Sequence, residues 1–225
     1  MALIKIKDYY IPENDEQYLG YFQKFDHYQE AQRNRALSHV SLWRTSIDIG
    51  ANIGLWAKDL SNFFDKTFCF EPNENCIDCL KKNINLGKSK IFNVALGNEK
   101  SELNLITPTY SGGSSFINKT KIGIDESGTT IYGQFNSDVP KQRVLVKTLD
   151  EYNLTEIDFI KIDVQGFELE VLLGAEETLI KNSPIVCVEE DENNTELSET
   201  LKFLSKLNYQ VIDKIQKEAI LKKKS

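Results

Sequence analysis

An apolar run that meets an acid and then a glycine turn, Ser46-Ile47-Asp48-Ile49-Gly50-Ala51-Asn52-Ile53-Gly54, constrains this chain more than any other segment. A second apolar run, Phe68-Cys69-Phe70, ends in Glu71-Pro72 about 20 residues beyond the turn, the distance at which an α/β fold sets a ribose-binding acid. Strand, glycine turn, helix and acid-tipped strand together build a nucleoside pocket. Gly50 and Gly54 let the backbone approach a ligand where a Cβ would collide, and Asn52 tolerates the left-handed region. Glu71 is placed to accept hydrogen bonds from both ribose hydroxyls.

The spacing G-x-x-x-G differs from the G-x-G-x-x-G that admits a pyrophosphate to a helix N-terminus. Asp48 sharpens the distinction, because a carboxylate before the turn repels pyrophosphate and suits a cationic ammonium such as the methionine end of S-adenosylmethionine. The expected cofactor contacts are Asp48, Ile49, Gly50, Ala51, Asn52 and Gly54 in the turn, with Glu71 and Pro72 at the next strand end. Asn93, Val94 and Ala95, read as the end of the third strand, are expected to border the adenine.

Elements alternate regularly: strand 47–49, helix 53–64, strand 67–71, helix 74–86 and strand 90–95, a β-α-β-α-β half that demands a parallel sheet. An insertion over 97–139 carries a strand at Glu102–Ile106 and the Gly/Ser-rich stretch Tyr110–Ser115. A structureless loop of that length is unusual, so it reads as a β-appendage, a functional loop or both. Beyond it come strands at Val144–Lys147 and Asp158–Asp163, a helix at Phe167–Lys181, a strand at Ile185–Glu189 and a helix at Thr195–Leu207. Strands Tyr209–Ile215 and Glu218–Lys222 close the chain around a Gln216-Lys217 turn. The resulting fold class is α/β and Rossmann-like: a seven-stranded, mostly parallel sheet with an antiparallel C-terminal edge hairpin and helices on both faces. Upstream, Tyr18, Tyr21, Phe22, Phe25 and Tyr28 form an aromatic stripe at helical spacing within 14–40. It reads as one or two helices packed on the sheet edge, or as part of a lid.

Four ordered motifs, Asp48-Ile49-Gly50-Ala51-Asn52-Ile53-Gly54, Phe70-Glu71-Pro72, Thr148-Leu149-Asp150 and the run from Phe159 to Ala175 (FIKIDVQGFELEVLLGA), resemble the FkbM family of S-adenosylmethionine-dependent methyltransferases. The resemblance spans about Ile47 to Glu190 and implies O-methylation of a small-molecule hydroxyl, such as that of a sugar or glycan precursor. It divides the chain into an N-terminal extension or lid (1–45) and a methyltransferase domain (46–225) with an insertion at 97–140. A nicotinamide-dependent oxidoreductase is the competing reading. The acid before the turn and the terminal hairpin oppose it.

An alcohol acceptor must lose a proton, so a carboxylate near it is the expected base. Asp163, Glu168 and Glu189 are the candidates. Alternatively, Asp163 and Glu189 resemble in position the acidic metal ligands of catechol-type O-methyltransferases, with Mg²⁺ or Mn²⁺ as the ion and Glu190 or Asp191 as helpers. Asp163 and Glu168 also have a purely structural reading, as turn former and helix cap. Gln165 stands where glutamate is more usual in the family, which keeps a non-catalytic nucleoside-binding protein in view. Lys161, mid-strand, is either a buried cation paired with an acid or a lysine reaching solvent.

Composition limits the partners. A net charge of −7 over 225 residues argues against general affinity for nucleic acid or anionic membranes. Lys222–Lys224 reads as a solvated tail. No apolar run approaches the roughly 20 residues of a membrane span, and the N-terminus lacks a signal core, so a cytoplasmic location is expected. Cys69 and Cys187 sit in apolar strands, and Cys76 and Cys79 in a helix with no second pair at zinc spacing, so all four are read as structural thiols. His27 and His39 are read as ordinary helix histidines.

Overall fold

A computed structural model describes residues 2–106, 115–116, 129–130, 133–134, 141–189 and 195–224. The chain opens with an antiparallel hairpin, β1 (Leu3–Ile6) and β2 (Tyr9–Pro12), turned by Lys7 in the left-handed region (φ 51°). Periodicity gives no hint of it, since each strand is only four residues long. The helical stretch that follows is two helices, α1 (Glu16–Lys24) and α2 (Glu30–Leu37). Asp15 caps α1 by accepting from the Tyr18 N–H at 3.2 Å, and Gln29, left-handed at φ 44°, turns the chain into α2.

The nucleoside half runs β3 (Thr45–Ile49), α3 (Ala57–Phe63), β4 (Lys66–Phe70), α4 (Glu74–Asn83) and β5 (Ser89–Phe92). Helix α3 begins four residues later than periodicity suggests, because residues 51–56 form the turn itself. The expected strand 90–95 is also broken. β5 ends at Phe92, and Ala95–Leu96 (β6) leaves the main sheet for a second one with β7 (Ser101–Ile106), β8 (Ser115–Phe116) and β11 (Lys141–Lys147), in the order β6-β11-β7-β8. Between them, β9 (Thr129–Thr130) pairs with β10 (Gly133–Gln134). Residues 110–114 of the Gly/Ser-rich stretch lie outside the described residues.

After a 3-10 turn at Asp150–Tyr152 come β12 (Ile157–Ile162), α5 (Glu168–Leu173), α6 (Glu176–Asn182), β13 (Ile185–Glu189), α7 (Thr195–Lys206), β14 (Tyr209–Ile215) and β15 (Glu218–Lys223). The single helix expected over 167–181 breaks at Gly174. A Cβ there would lie 1.9 Å from the Gly97 carbonyl oxygen, so the chain entering the second sheet presses directly on the break.

The main sheet has seven strands in the order β14-β15-β13-β12-β3-β4-β5. β15 is antiparallel to both neighbours, whereas β13, β12, β3, β4 and β5 pair in parallel. The strand order reverses between β3 and β12, which is where an open α/β sheet gathers its ligand. Ile47, Ile49, Ile160, Ile162, Val186 and Val188 face α5 and α6 in one core. Phe159, Cys187 and Ile220 face α2 and α3 in another. Alternation places Asp48 and Lys161 on this second face, as partners in adjacent strands. No helix among the described residues is long and apolar enough to cross a membrane.

Candidate active site

Four strands converge at the switch point, and the backbone joins them before any side chain acts. Gly50 and Ala51 N–H groups donate to the Phe70 carbonyl at 2.9 and 3.1 Å, and the Asp163 N–H donates to the Ile49 carbonyl at 3.0 Å. Both turn glycines are left-handed, at φ 79° for Gly50 and 87° for Gly54, as is Asn52 at 51°. The collisions a Cβ would cause are within the protein. On Gly50 it would lie 1.9 Å from the Asp163 carbonyl oxygen, and on Gly54 2.8 Å from a Leu80 methyl. The glycines therefore serve first to bring β3 against the chain leaving β12, and the turn against α4.

Glu71 is buried at the tip of β4, where Oε2 accepts from the Asn52 N–H and Oε1 from the Asn73 N–H, both at 2.7 Å. It thereby ties the glycine turn to the start of α4, leaving each carboxylate oxygen a further acceptor site. Asp48 is 2 % exposed; one oxygen accepts from the Ala57 N–H opening α3, while Oδ2 has no partner among the described residues. Burial, reinforced by Asp163 and Glu71 and opposed by Lys161, pushes Asp48 up to about 7. Burial likewise lifts Glu71 to about 7 against its two backbone donors. Lys161 only partly offsets the burial of Asp48, and the charge that acts on Glu71 is a like one, from Asp163.

A pH dependence follows. A carboxyl with a raised native pKa keeps a proton the unfolded chain has already lost, so its stability contribution falls as pH climbs from the ordinary Asp range to about 7. Asp48→Asn is expected to abolish its share of that fall, leaving the variant more stable than the parent at pH 8 by roughly 1–3 kcal/mol, and not at pH 4. Urea unfolding at both pH values measures it. Equal effects at the two would refute the assignment.

The remaining cofactor positions divide. Ile49 and Ala51 point into apolar clusters and offer only their backbone to the rim. The Pro72 carbonyl accepts from Asn93 Nδ2 at 3.0 Å and Gln142 Nε2 at 2.9 Å. Asn93 also donates to the Glu71 carbonyl at 2.8 Å, so it pins the loop carrying Glu71. The expectation that Asn93, Val94 and Ala95 end the third strand is corrected: that strand stops at Phe92, and Ala95 is buried in the main core because it starts the second sheet.

On the acceptor side, Asp163 follows β12 with its side chain 27 % exposed, open to the rim. Its carboxyl group is hydrogen-bonded to that of Glu189. Gln165, left-handed at φ 55°, bridges them, with Nε2 donating to Asp163 Oδ1 at 2.9 Å and Glu189 Oε2 at 3.1 Å. Burial raises Asp163, but the Lys161 cation and the bonds from Glu189 and Gln165 outweigh it and hold the group below its ordinary value. Burial and the adjacent Asp163 charge push Glu189 up. The two neighbouring acids are thus shifted in opposite directions, Asp163 down and Glu189 up.

Glu168 belongs elsewhere. Its Oε1 accepts from the Val164 and Gly166 N–H groups at 3.3 and 3.1 Å, so it shapes the turn presenting Asp163. Nor is the divalent-ion alternative supported. Among the described residues no group of three or more His, Cys, Asp or Glu is placed to hold a metal, and Asp163 and Glu189 are bonded to one another. Glu190 and Asp191 lie outside the described residues.

The aromatic stripe folds onto the glycine turn. Tyr9, Ile11, Tyr18 and Phe22 pack with Ile53, Leu55, Cys76 and Cys79, and Trp56 Nε1 donates to Gln29 Oε1 at 2.6 Å. Burial and the charges of Asp163 and Glu189 raise the Tyr28 hydroxyl, and Asp163 also adds to the rise of the buried Tyr18. Spacing reveals the stripe but not which ring turns inward. The four cysteines are free and buried. His39 pairs with Asp213 at 2.9 Å, away from these groups.

The family model described as the methyltransferase FkbM domain matches residues 48–211, most of the chain. The chain belongs to the FkbM methyltransferase family. It is 30% identical over 155 residues to methyltransferase sdnD of Sordaria araneosa, covering 58% of this chain and 60% of that protein. It is 29% identical over 147 residues to 2-O-methyltransferase NoeI of Sinorhizobium fredii (strain NBRC 101917 / NGR234), covering 60% of this chain and 58% of that protein. The chain thus spans about 60% of the length of these curated relatives. Among solved structures, an FkbM methyltransferase from Methylobacillus flagellatus KT superposes with a TM-score of 0.52 at 15% identity, over 80% of this chain and 43% of that one. The likeness is one of fold.

Proposed function

We propose that this chain is an S-adenosylmethionine-dependent methyltransferase acting on a hydroxyl of a small molecule such as a sugar or glycan precursor. The observation that carries the reading is Asp48 Oδ2, a buried carboxylate oxygen without a hydrogen-bond partner among the described residues, on the rim that also holds Glu71. A buried carboxylate of that kind is costly until a cation meets it, and the cofactor's ammonium is such a cation. Family membership supports methyl transfer, and the name of the NoeI relative supports an oxygen acceptor.

When bound, S-adenosylmethionine supplies the methyl group, its carbon–sulfur bond breaking with the electron pair left on sulfur. Asp48 would hold the cofactor's ammonium and Glu71 its ribose hydroxyls, and Asp163 would take the proton that the acceptor hydroxyl loses on accepting the methyl group. The N-terminal hairpin and helix α1 pack on this side of the glycine turn, and Tyr28 is close enough to the acid pair for both charges to raise its hydroxyl. Glu71→Ala is expected to weaken S-adenosylhomocysteine by about 1–3 kcal/mol, the cost of unpairing buried hydroxyls, as read by calorimetry.

Isotope transfer from methyl-labelled S-adenosylmethionine into a panel of sugars, lipids and peptides tests the reaction. Label in a sugar hydroxyl is expected. Cofactor binding with no label in any acceptor would favour a non-catalytic nucleoside-binding protein.

A further inference from the structure

Beneath the acid pair lies a cation that the proposed reaction does not itself use. Lys161 is 1 % exposed, and its ammonium bonds both oxygens of Glu218, also 1 % exposed, at 3.1 and 3.0 Å. It lies 3.7 Å from Asp163 Oδ2, 3.4 Å from the Ile162 carbonyl and 5.1 Å from the Trp56 ring centroid. Cys187 also donates its thiol to Glu218 Oε2 at 3.3 Å. The arrangement is asymmetric. Asp163 has the cation beside it, whereas Glu189 pairs in register with Glu218, so carboxylates stand on two of its sides. Like charges opposite one another in a sheet are unfavourable unless one is neutralised.

We propose that Lys161, anchored by Glu218, is a positioning residue that decides which of the two bonded acids is the ionised one, selecting Asp163 as the base and leaving the shared proton on Glu189. The inference rests on the acceptor chemistry proposed above and adds the residue that sets it up. Other groups bear on the pair without breaking the asymmetry in its favour. Asp48, from β3, is an acid on the same sheet face as Lys161, and its charge and that of Asp163 disfavour one another. Tyr28, from the segment between α1 and α2, stays neutral because burial and both acids raise it. Glu168, from α5, is raised chiefly by burial and spends Oε1 on backbone donors. Gln165 donates to both acids, at 2.9 Å to Asp163 and 3.1 Å to Glu189, and adds to the asymmetry less than the Lys161 charge does.

Carboxyl ¹³C NMR titration of the full chain, with Asp163 and Glu189 assigned, tests this without relying on turnover. The parent should show Asp163 titrating below and Glu189 above the ordinary carboxyl range. Lys161→Met leaves Glu218 buried and unpaired, so the double variant Lys161→Met/Glu218→Gln, which removes both charges together, carries the test if the single one does not fold. Its Asp163 midpoint should rise by about one pH unit or more, and Glu189 should fall toward it. Glu218→Gln alone frees the ammonium for Asp163 and should leave that midpoint at or below the parent's. A merely structural role would not move the two variants in different directions. The acid limb of the pH–rate profile should follow the Asp163 midpoint. An unmoved Asp163 in the double variant, or a parent in which Glu189 is the ionised member, overturns the proposal. Failure of the acceptor reading shows itself separately, as absent label transfer with these titrations intact.

Discussion

Asp163→Asn is expected to lower turnover by about 10²-fold or more while S-adenosylhomocysteine affinity stays as in the parent. Asparagine keeps the shape of the side chain and an oxygen for the Gln165 amide, which donates at 2.9 Å. It removes the charge to which the proposed reaction assigns the acceptor's proton. The cofactor side is held by other bonds, chiefly Glu71 with the Asn52 and Asn73 N–H groups, so binding should survive. Glu168→Gln provides the contrast, since it retains an oxygen for Val164 and Gly166 and should cost far less turnover. Steady-state rates beside calorimetric affinities separate the two. Full turnover in Asp163→Asn would remove Asp163 from the chemistry.

Gly50→Ala is expected to have the largest effect on folding. The added Cβ would lie 1.9 Å from the Asp163 carbonyl oxygen and 2.9 Å from its carbon, and both are backbone atoms that no rotamer change can move aside. The residue also sits at φ 79°, which costs any L side chain about 1–2 kcal/mol. With overpacking added, the loss should reach roughly 3–5 kcal/mol, a large share of a domain's ordinary stability. Gly166→Ala separates the contributions. It shares a positive φ of 95° but has nothing within 4 Å of its Cβ position, so only the conformational cost applies. Urea unfolding of both measures the difference. Near-equal losses would mean that the approach of Gly50 to Asp163 is not what demands the glycine.

Local chemistry made much of this legible in the sequence. Asp48, Glu71, Asp163 and Glu189 stand on or just after β3, β4, β12 and β13, because an acid tolerated in an apolar strand belongs at the ligand-gathering edge. The reversed strand was legible too, since the short turn at Gln216-Lys217 forces β14 and β15 into a hairpin. Long-range partners were not. Lys161 shows its oddity mid-strand, but its partner Glu218 lies 57 residues away, and only an acid opening the apolar run Ala219-Ile220-Leu221 signals it. Local sequence suggests that the glycine turn makes room for a ligand, whereas Gly50 first makes room for the Asp163 backbone. The same limit applies to Ala95 and Gly174, where contacts distant in sequence end an element that local periodicity would continue.

Calorimetric titration of the protein with S-adenosylhomocysteine and, separately, NADH tests the cofactor assignment most directly. Asp48 and Glu71 on one rim, with the glycine turn between them, predict saturable binding of S-adenosylhomocysteine and none of NADH. Binding of NADH with no binding of S-adenosylhomocysteine would contradict the account.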